Sequence, residues 1–309
     1  MPNWTSADIP QQLGRVAIVT GANSGLGYET ALALALDGAD VIVAARNTAK
    51  GRAAVASIQA RVPGATVSFE PLDLASLASV ATFAIGIAAR HQSVDLLINN
   101  AGVMALPRRQ TTADGFELQL GINYLGHYAL TAHLLPLLRR GHGTRVVNLS
   151  SLVHRQGRIR FDDLHSERRY QPWPAYAQSK LAMLMFAFEL QRRSDAHGWG
   201  LMSNAAHPGF ARTGLISNGP GDNGVMGTLS RLIRPFVSHS AASGALPTLY
   251  AATSPQARGG GYYGPNGFYE LKGWPKDAFV ALQARDAAAA ARLWEISEQL
   301  TGVSFTPAG

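Results

Sequence analysis

Tyr176 and Lys180 are the residues of this 309-residue chain whose types and spacing point most directly to chemistry. They are four positions apart in the segment 176–180, and this separation places two side chains on one face of a helix, where both can act on one substrate. The pKa of a free tyrosine is about 10, and a cation within about 4 to 6 Å favours the phenolate. The pair is therefore suited to move a proton to or from a substrate oxygen.

A glycine-rich segment directly after the first predicted strand provides a second chemical feature. Gly21 permits a tight turn, Gly25 lets a pyrophosphate approach the backbone, and Gly27 allows a helix to pack closely on the strand. The exposed amides and the helix dipole attract phosphates, so a dinucleotide site is predicted. The spacing Gly-x-x-x-Gly-x-Gly is a variant of the general fingerprint. The predicted contacts in this loop are Gly21, Asn23, Ser24, Gly25, Leu26 and Gly27.

The end of the second predicted strand indicates which dinucleotide binds. An acidic residue here would bind the ribose 2′-hydroxyl of NAD, but the strand ends in Ala44-Ala45-Arg46 and Asp40 lies at its opposite end. Arg46 can instead pair with a 2′-phosphate. We therefore expect NADP as the cofactor, with NAD as a weaker alternative. Because the glycine loop carries no second cation, a surface arginine that merely ends a strand is the competing interpretation.

The elements that must position these residues alternate between β-branched runs and longer segments rich in alanine and leucine, which is typical of repeated βαβ units. The strands are nearly continuous in apolar residues, so helices should cover both faces of the sheet. We predict an α/β fold of three layers, a Rossmann-type doubly wound parallel sheet. The predicted strands are 16–20, 41–45, 66–70, 96–99, 145–149 and 201–205. The predicted helices are 26–37, 48–61, 76–90, 118–140 and 175–193.

No linker or repeat divides the chain, so residues 1–309 are predicted to form one dinucleotide-binding catalytic domain. Residues 14–207 would be the cofactor-binding core, and 208–309 a substrate lid and C-terminal helical extension. A helix is predicted over 276–300, with Trp294 and Ile296 available for docking. The apolar positions of 225–236 form a helical stripe. This stripe fits a helix packed on the body, a mobile lid over an apolar substrate, or a membrane-surface contact.

Composition excludes several classes of function. The absence of cysteine excludes disulfides, thiolate metal sites and cysteine nucleophiles, and no metal site is predicted. The net charge of +7 comes from dispersed arginines, so a polyanionic cofactor explains it better than nucleic acid does. Residues 1–13 lack an apolar run, so we expect neither a secretory signal nor a membrane span, and a cytoplasmic location.

Five motifs, in the same order along the chain, resemble those of the short-chain dehydrogenase/reductase family, and a sixth supports them. They are the glycine loop, Asp73-Leu74 after the third strand, Asn99-Asn100-Ala101-Gly102 after the fourth, Ser150-Ser151 after the fifth, Tyr176 with Lys180, and His207-Pro208-Gly209 with Thr213 downstream. The resemblance implies an NADP-dependent oxidoreductase in which Tyr176 gives a proton to a carbonyl oxygen, or takes it back from an alcohol, as hydride is transferred. A cofactor-sensing regulator that binds NAD(P) without chemistry is the alternative.

The resemblance also implies a role for each matching residue. Ser151 would hydrogen-bond the reacting oxygen, Ser150 would be structural, and Asn123 would hold a water that links Lys180 to solvent. Alternative interpretations are a structural amide for Asn99 and local backbone pairing for Asn123. Asp73 and Leu74 would border the adenine, and Asn100, Ala101 and Gly102 would line the cofactor. Tyr176 and Lys180 would also contact the cofactor, Lys180 at the nicotinamide ribose, while Pro208, Gly209 and Thr213 would hold the carboxamide.

Ser151 and Tyr176 are 25 residues apart, and the extra length lies around residues 155–164. This insertion resembles the retinol dehydrogenase-like and protochlorophyllide reductase-like branch of the family. That branch implies a hydrophobic aldehyde, ketone or alcohol as the substrate. Family members often pair through the helices that hold Asn123 and Tyr176, which implies a homo-oligomer, either a dimer or a tetramer.

Overall fold

A computed structural model describes residues 3–210 and 240–305 of the chain. In these two ranges one sheet of eight strands has the order β3-β2-β1-β4-β5-β6-β7-β8. Strands β1 to β7 run parallel, and β8 pairs antiparallel with β7. The strands are β1 Val16–Thr20, β2 Asp40–Ala45, β3 Val67–Pro71, β4 Leu96–Asn99, β5 Arg145–Leu149, β6 Met202–Ala206, β7 Tyr262–Pro265 and β8 Pro275–Asp277. The order in which strands are added to the sheet reverses between β1 and β4, which is where open α/β sheets bind ligands.

Helices cover both faces of the sheet, as the apolar strands require. One face carries α1 Gly25–Leu36, α2 Thr48–Arg61 and α7 Ala241–Thr253, and the other carries α3 Leu77–Ala88, α5 Gly126–Leu138, α6 Pro172–His197 and α8 Ala287–Thr301. A short α4, Leu118–Leu120, and a π-helical turn, Gly121–Leu125, precede α5 without a break. The three-layer α/β fold predicted from the sequence is confirmed.

The C-terminal part differs from the prediction. The helix predicted over 276–300 is wrong at its start, because Pro275–Asp277 forms β8 and a 3-10 turn, Leu282–Arg285, comes before α8. The helix α8 begins at Ala287, where Asp286 caps its first turn by accepting a hydrogen bond from the Ala289 amide at 2.9 Å. The sequence predicted neither β7 nor β8. Both strands are short and contain proline, and β8 is formed through its pairing with β7.

The docking role predicted for Trp294 is confirmed. Its ring is only 2% exposed and packs against Phe186, Tyr128 and Phe305, while Ile296 lies at the edge of the same core. Aromatic contacts of this kind contribute about 0.5 to 1.5 kcal/mol each beyond the apolar area they bury. They fix α8 against α6, the helix that carries Tyr176. The stripe predicted over 225–236 lies outside the described residues.

Candidate active site

A cleft of about 640 Å³ opens at the carboxyl edge of the sheet, where β1, β2, β3 and β4 end. The parallel strands bring their carboxyl ends to this one edge, so motifs far apart in sequence meet there. Among the described residues it is lined by Gly21, Asn23, Ser24, Gly25, Leu26, Gly27, Arg46, Asp73, Leu74, Asn100, Ala101 and Gly102, all of which the sequence predicted as cofactor contacts. It is also lined by Thr20, Ala44, Ala45, Lys50, Leu72, Val103 and Ile122.

The glycine loop has the close packing expected of a dinucleotide site. Gly21 has a φ of 67°, and a Cβ on it would lie 2.9 Å from Ala101 Cα. A Cβ on Gly27 would lie 2.6 Å from Gly21 O, so the start of α1 fits only without a side chain there. Ser24, the N-cap of α1, makes no side-chain capping hydrogen bond. The N-terminus of α1 therefore borders the cleft with its positive dipole end, and the residues present fit a pyrophosphate.

Two cations line the cleft beside the end of β2. Arg46 follows β2, and Lys50 lies in the first turn of α2, where its amide donates to Asn47 Oδ1 at 2.9 Å. Asp73 is the acidic residue among the described residues that line the cleft. Its Oδ1 accepts a hydrogen bond from the Ala75 amide at 3.0 Å within the turn after β3. The glycine loop carries no second cation, and Lys50, which the sequence did not predict at this site, is provided by α2 instead. Its position four residues after Arg46 was the signal that could have found it.

Thr20, at the last position of β1, joins the first and fourth strand ends. Its hydroxyl oxygen accepts hydrogen bonds from the amides of Asn100 and Ala101, both at 2.9 Å, and lies 2.9 Å from His127 Nε2. The Asn100 side chain donates to Thr20 O at 2.7 Å. Asn99 donates to Asn148 Oδ1 and Thr131 Oγ1, which agrees with its interpretation as a structural amide. These bonds join the ends of β1 and β4, which form the floor of the cleft.

The four predicted catalytic residues lie together at the ends of β4 and β5. Tyr176 and Lys180 share the inner face of α6, and the Ser151 side chain hydrogen-bonds that of Tyr176. Lys180 Nζ donates to Leu149 O at 2.9 Å and lies 5.9 Å from the centre of the Tyr176 ring. A Cβ on Gly102 would lie 3.0 Å from Asn123 Oδ1 and 3.5 Å from Lys180 Nζ. The lysine and the asparagine therefore face the same glycine.

Asn123 lies in the π-helical turn before α5, and protein groups already pair with its side chain. Its Nδ2 donates to Val103 O and to Ser179 Oγ, both at 2.9 Å, and its Oδ1 accepts from the Val103 amide at 2.8 Å. Its carbonyl oxygen accepts from His127 Nδ1 at 3.2 Å. Ser179 in turn donates to Tyr176 O at 2.8 Å, so Asn123 is tied directly to the catalytic helix. The water-holding role of Asn123 stays a prediction.

Burial controls the protonation of the catalytic pair. Burial raises the pKa of Tyr176 to about 12, against a smaller opposing effect of the hydrogen bond with Ser151. Burial lowers the pKa of Lys180 to about 8. The sequence led us to expect that the nearby cation would favour the phenolate, but in the protein alone burial has the larger effect. At neutral pH Tyr176 therefore carries its proton and can donate it.

Ser150 and Ser151, which follow β5, have different environments. Ser150 Oγ donates to Lys180 O at 2.7 Å, which attaches β5 to α6 and agrees with the structural role expected of it. Ser151 is the N-cap of the 3-10 turn Leu152–Gln156 and faces the Tyr176 phenol. The pair is thus divided between support and chemistry.

The last predicted motif follows β6. Gly209 has a φ of 66°, and its amide donates to His207 Nδ1 at 3.2 Å. Pro208 and Gly209 lie outside the lining of the cleft, just after Ala206, whose carbonyl oxygen accepts from the Ser150 amide at 2.8 Å, and Thr213 lies outside the described residues. In the part of the chain that the structure describes, no helix has the length and apolar content to cross a membrane.

Comparison with known proteins agrees with this geometry. The family model described as short chain dehydrogenase matches residues 15–221. The chain is 44% identical to polyprenol dehydrogenase of Mus musculus, over 95% of this chain and 86% of that protein. It is 39% identical to retinol dehydrogenase 12 of Homo sapiens, over 97% and 90% of the two chains.

Solved structures give the same result. A protein from Mycobacterium paratuberculosis is 42% identical, with a TM-score of 0.81 over 99% of this chain and 100% of that one. A short chain dehydrogenase from Shigella flexneri 2a in complex with NADP is 26% identical, with a TM-score of 0.64 over 82% and 97% of the chains. The chain is therefore an oxidoreductase of the short-chain dehydrogenase family, in its retinol dehydrogenase-like branch.

Proposed function

We propose that this protein is an NADP(H)-dependent oxidoreductase that interconverts a hydrophobic ketone or aldehyde and its alcohol. The observation that carries the proposal is the buried pair of Tyr176 and Lys180, with Ser151 facing the phenol, beside a cleft that fits a dinucleotide. A protein that only senses NAD(P) has no need of a buried ammonium next to a buried phenol. Burying such groups lowers the free energy of unfolding. Buried ionisable groups of this kind are concentrated at active sites, where they take part in the chemistry.

The chain's own residues account for the proton that accompanies hydride transfer. When bound, the cofactor supplies the hydride that adds to the carbonyl carbon. Ser151 and Tyr176 hold the carbonyl oxygen by hydrogen bonds, and Tyr176 Oη gives its proton to that oxygen as the C=O bond becomes a C–O single bond. The buried Lys180 ammonium stabilises the phenolate left on Tyr176. In alcohol oxidation the phenolate takes the hydroxyl proton while hydride leaves the carbon.

Arg46 and Lys50 support NADP over NAD. Two cations on one side of the cleft can pair with a 2′-phosphate, which carries more charge than the 2′-hydroxyl of NAD. Complexes of the Shigella flexneri 2a and Escherichia coli CFT073 relatives with NADP and NADPH agree with this choice. NAD is the weaker alternative.

The hydrophobic substrate class is supported by the names of the relatives, which include polyprenol and retinol dehydrogenases. Trp173 agrees with it, because this half-exposed indole stands edge-on to the Tyr176 ring, with centroids 6.1 Å apart.

We also retain as proposals the division of the chain at residue 207, the cytoplasmic location and a homo-oligomer. No nucleic-acid partner is proposed.

The test is oxidation of NADPH and of NADH, followed at 340 nm, with a panel of hydrophobic ketones and aldehydes. We expect turnover with NADPH and a kcat lower by about a hundredfold to ten-thousandfold in Tyr176→Phe, which keeps the ring but has no proton to give. Tyr250→Phe is the matched control, since this phenol lies on α7, away from the cleft. NADPH binding without turnover on any carbonyl would favour the sensor, and full activity in Tyr176→Phe would refute the mechanism.

A further inference from the structure

Glu270, in the loop between β7 and β8, is a buried carboxylate to which the sequence motifs assign no role. Tyr269 and Glu270 have φ values of 49° and 59°, in the left-handed region that residues with a side chain rarely adopt. Two such residues in succession persist only where the surrounding contacts hold them, and this strain concentrates at functional sites. The contacts of the Glu270 side chain show what holds it.

The carboxylate accepts hydrogen bonds from three different segments. Its Oε2 accepts from Arg155 Nη2 at 2.6 Å and from His207 Nε2 at 3.0 Å, and its Oε1 accepts from the Phe279 amide at 2.9 Å. Burial raises the pKa of Glu270, but the bonds from His207 and Phe279 and the charge of Arg155 outweigh it and lower the pKa to about 2. Glu270 is therefore a carboxylate at neutral pH.

One of these segments is the turn that holds Ser151. Arg155 lies in the 3-10 turn Leu152–Gln156, of which Ser151 is the N-cap. His154 Nδ1 donates to Ser151 O at 2.7 Å within the same turn. Because Arg155 and Ser151 belong to the same short turn, the bond between Arg155 and Glu270 also constrains the position of the Ser151 hydroxyl, which faces Tyr176.

Another segment is the turn after β6, from His207 to Phe210. Because His207 Nδ1 accepts from the Gly209 amide, the ring must carry its proton on Nε2, which donates to Glu270. A Cβ on Gly209 would lie 2.8 Å from Glu270 O and 2.4 Å from Leu271 O, and the Phe210 amide donates to Leu271 O at 2.8 Å. The turn 207–210 therefore contacts both the side chain of Glu270, through His207, and its backbone, through Gly209.

A glycine in β7 confirms how closely the histidine is seated. A Cβ on Gly264 would lie 2.0 Å from His207 Nε2, so the imidazole fits only because this strand position has no side chain. The ring is fully buried between β7 and the Glu270 carboxylate. Its Nε2 can therefore point only toward Glu270, and this orientation of the ring fixes the start of the turn 207–210.

We propose that Glu270 is a positioning residue that holds the turn 207–210 in register with the turn that carries Ser151, and so places the nicotinamide half of the cofactor against the reacting oxygen. The inference rests on the proposed function, in which Ser151 holds the substrate oxygen, and on the role that the family resemblance implies for Pro208 and Gly209 at the carboxamide. One carboxylate shared by a guanidinium and an imidazole fixes the separation of the two turns, and misplacement by about 1 Å can cost about a hundredfold in rate.

Because this role concerns only the nicotinamide half of the cofactor, it is testable by binding, without a known substrate. The Kd of NADPH is compared with that of adenosine 2′,5′-bisphosphate, a fragment that has the adenine and the 2′-phosphate but no nicotinamide. In Glu270→Gln, which keeps the shape but removes the charge, we expect NADPH to bind about tenfold more weakly and the fragment to bind as in the wild type. The fluorescence of bound NADPH should also fall, because the nicotinamide is held less firmly.

Glu189→Gln is the matched control. Its carboxylate is 2% exposed and is bonded to Arg192 and Arg193 on the later turns of α6, so it loses a similar buried pairing outside the cleft. The ratio of the two Kd values should not change in this variant. Arg155→Met, at a more exposed site, provides a second perturbation should Glu270→Gln fold poorly, and Arg155→Lys should restore most of the ratio.

The outcomes separate the two proposals. A wild-type protein that does not bind NADPH would refute the proposed function. NADPH binding by the wild type, with an unchanged ratio of the two Kd values in Glu270→Gln and Arg155→Met, would refute the positioning role alone. Equal weakening of NADPH and the fragment would also refute it, because that result indicates a general loss of fold.

Discussion

Lys180→Met should make the cofactor-free protein more stable at neutral pH. The pKa of Lys180 is about 8 in the folded chain, lowered by burial from an ordinary 10.5. At 1.36 kcal/mol per pKa unit this difference is about 3 kcal/mol, which is the penalty of keeping the ammonium charged inside the fold. Methionine removes this penalty and also the hydrogen bond to Leu149 O, which contributes about 1 kcal/mol. We therefore expect a net gain of about 2 kcal/mol at pH 7.

The same reasoning gives a pH dependence with a definite sign. Between about pH 8 and 10.5 the unfolded chain binds a proton at Lys180 that the folded chain has released, so the free energy of unfolding rises with pH in this window. From pH 7 to pH 9.5 the wild type should gain about 2 kcal/mol relative to Lys180→Met. Below pH 8 both states are charged and the full penalty is present.

Urea denaturation at pH 7 and pH 9.5, without cofactor, measures these differences. Lys276→Met is the matched control, since this exposed lysine lies on β8 and its replacement should change stability little at either pH. Lys180→Met should also lose most of its carbonyl reduction, because the phenolate would have no cation beside it. A Lys180→Met protein less stable than the wild type at pH 7, or with the same pH dependence, would contradict the reasoning.

Three further outcomes are expected. Arg46→Ala and Lys50→Ala should each weaken NADPH by about tenfold and NADH by less than twofold in fluorescence titrations, and an equal effect on both cofactors would refute the 2′-phosphate assignment. Because the pKa of Tyr176 is raised, alcohol oxidation should accelerate with pH up to at least pH 10 while carbonyl reduction does not, and stopped-flow traces that rise together would count against Tyr176 as the titrating group. Gly27→Ala should lower the free energy of unfolding by about 1 to 3 kcal/mol, since its Cβ would meet Gly21 O at 2.6 Å; urea curves that match the wild type would show that the loop can move aside.

The fold and most of the residues that line the cleft could be read from the sequence because each motif follows a strand. Parallel strands end at one edge of the sheet, so the order of motifs along the chain was enough to bring Gly21, Arg46, Asp73 and Asn100 into one cleft. The helix α8 was placed too early for a related reason. The short apolar run 278–281 does not by itself distinguish a helix from a strand, and the strand before it exists only through its pairing with β7.

The residues that escaped prediction are those whose partners are distant in sequence. Lys50 was within reach of local reasoning, since it follows Arg46 by four positions. Thr20, His127 and Glu270 were not, because a threonine at a strand end, a histidine in a helix and a glutamate in a loop have no pattern that names a partner. Their contacts join residues 107 and 115 positions apart, Thr20 with His127 and Arg155 with Glu270.

These distant pairs determine how exactly the motifs meet. Burial lowers the pKa of His127 to about 3, so its ring is neutral, donates to Asn123 O and accepts from Thr20. This chain of bonds ties the floor of the cleft to the helix turn beside Lys180, as Glu270 ties the two turns on the other side of Ser151. The free energy of unfolding falls by about 1 to 3 kcal/mol when a buried polar group is left without its hydrogen-bond partner. Replacement of a single partner should therefore alter catalysis even where the residue replaced touches neither cofactor nor substrate.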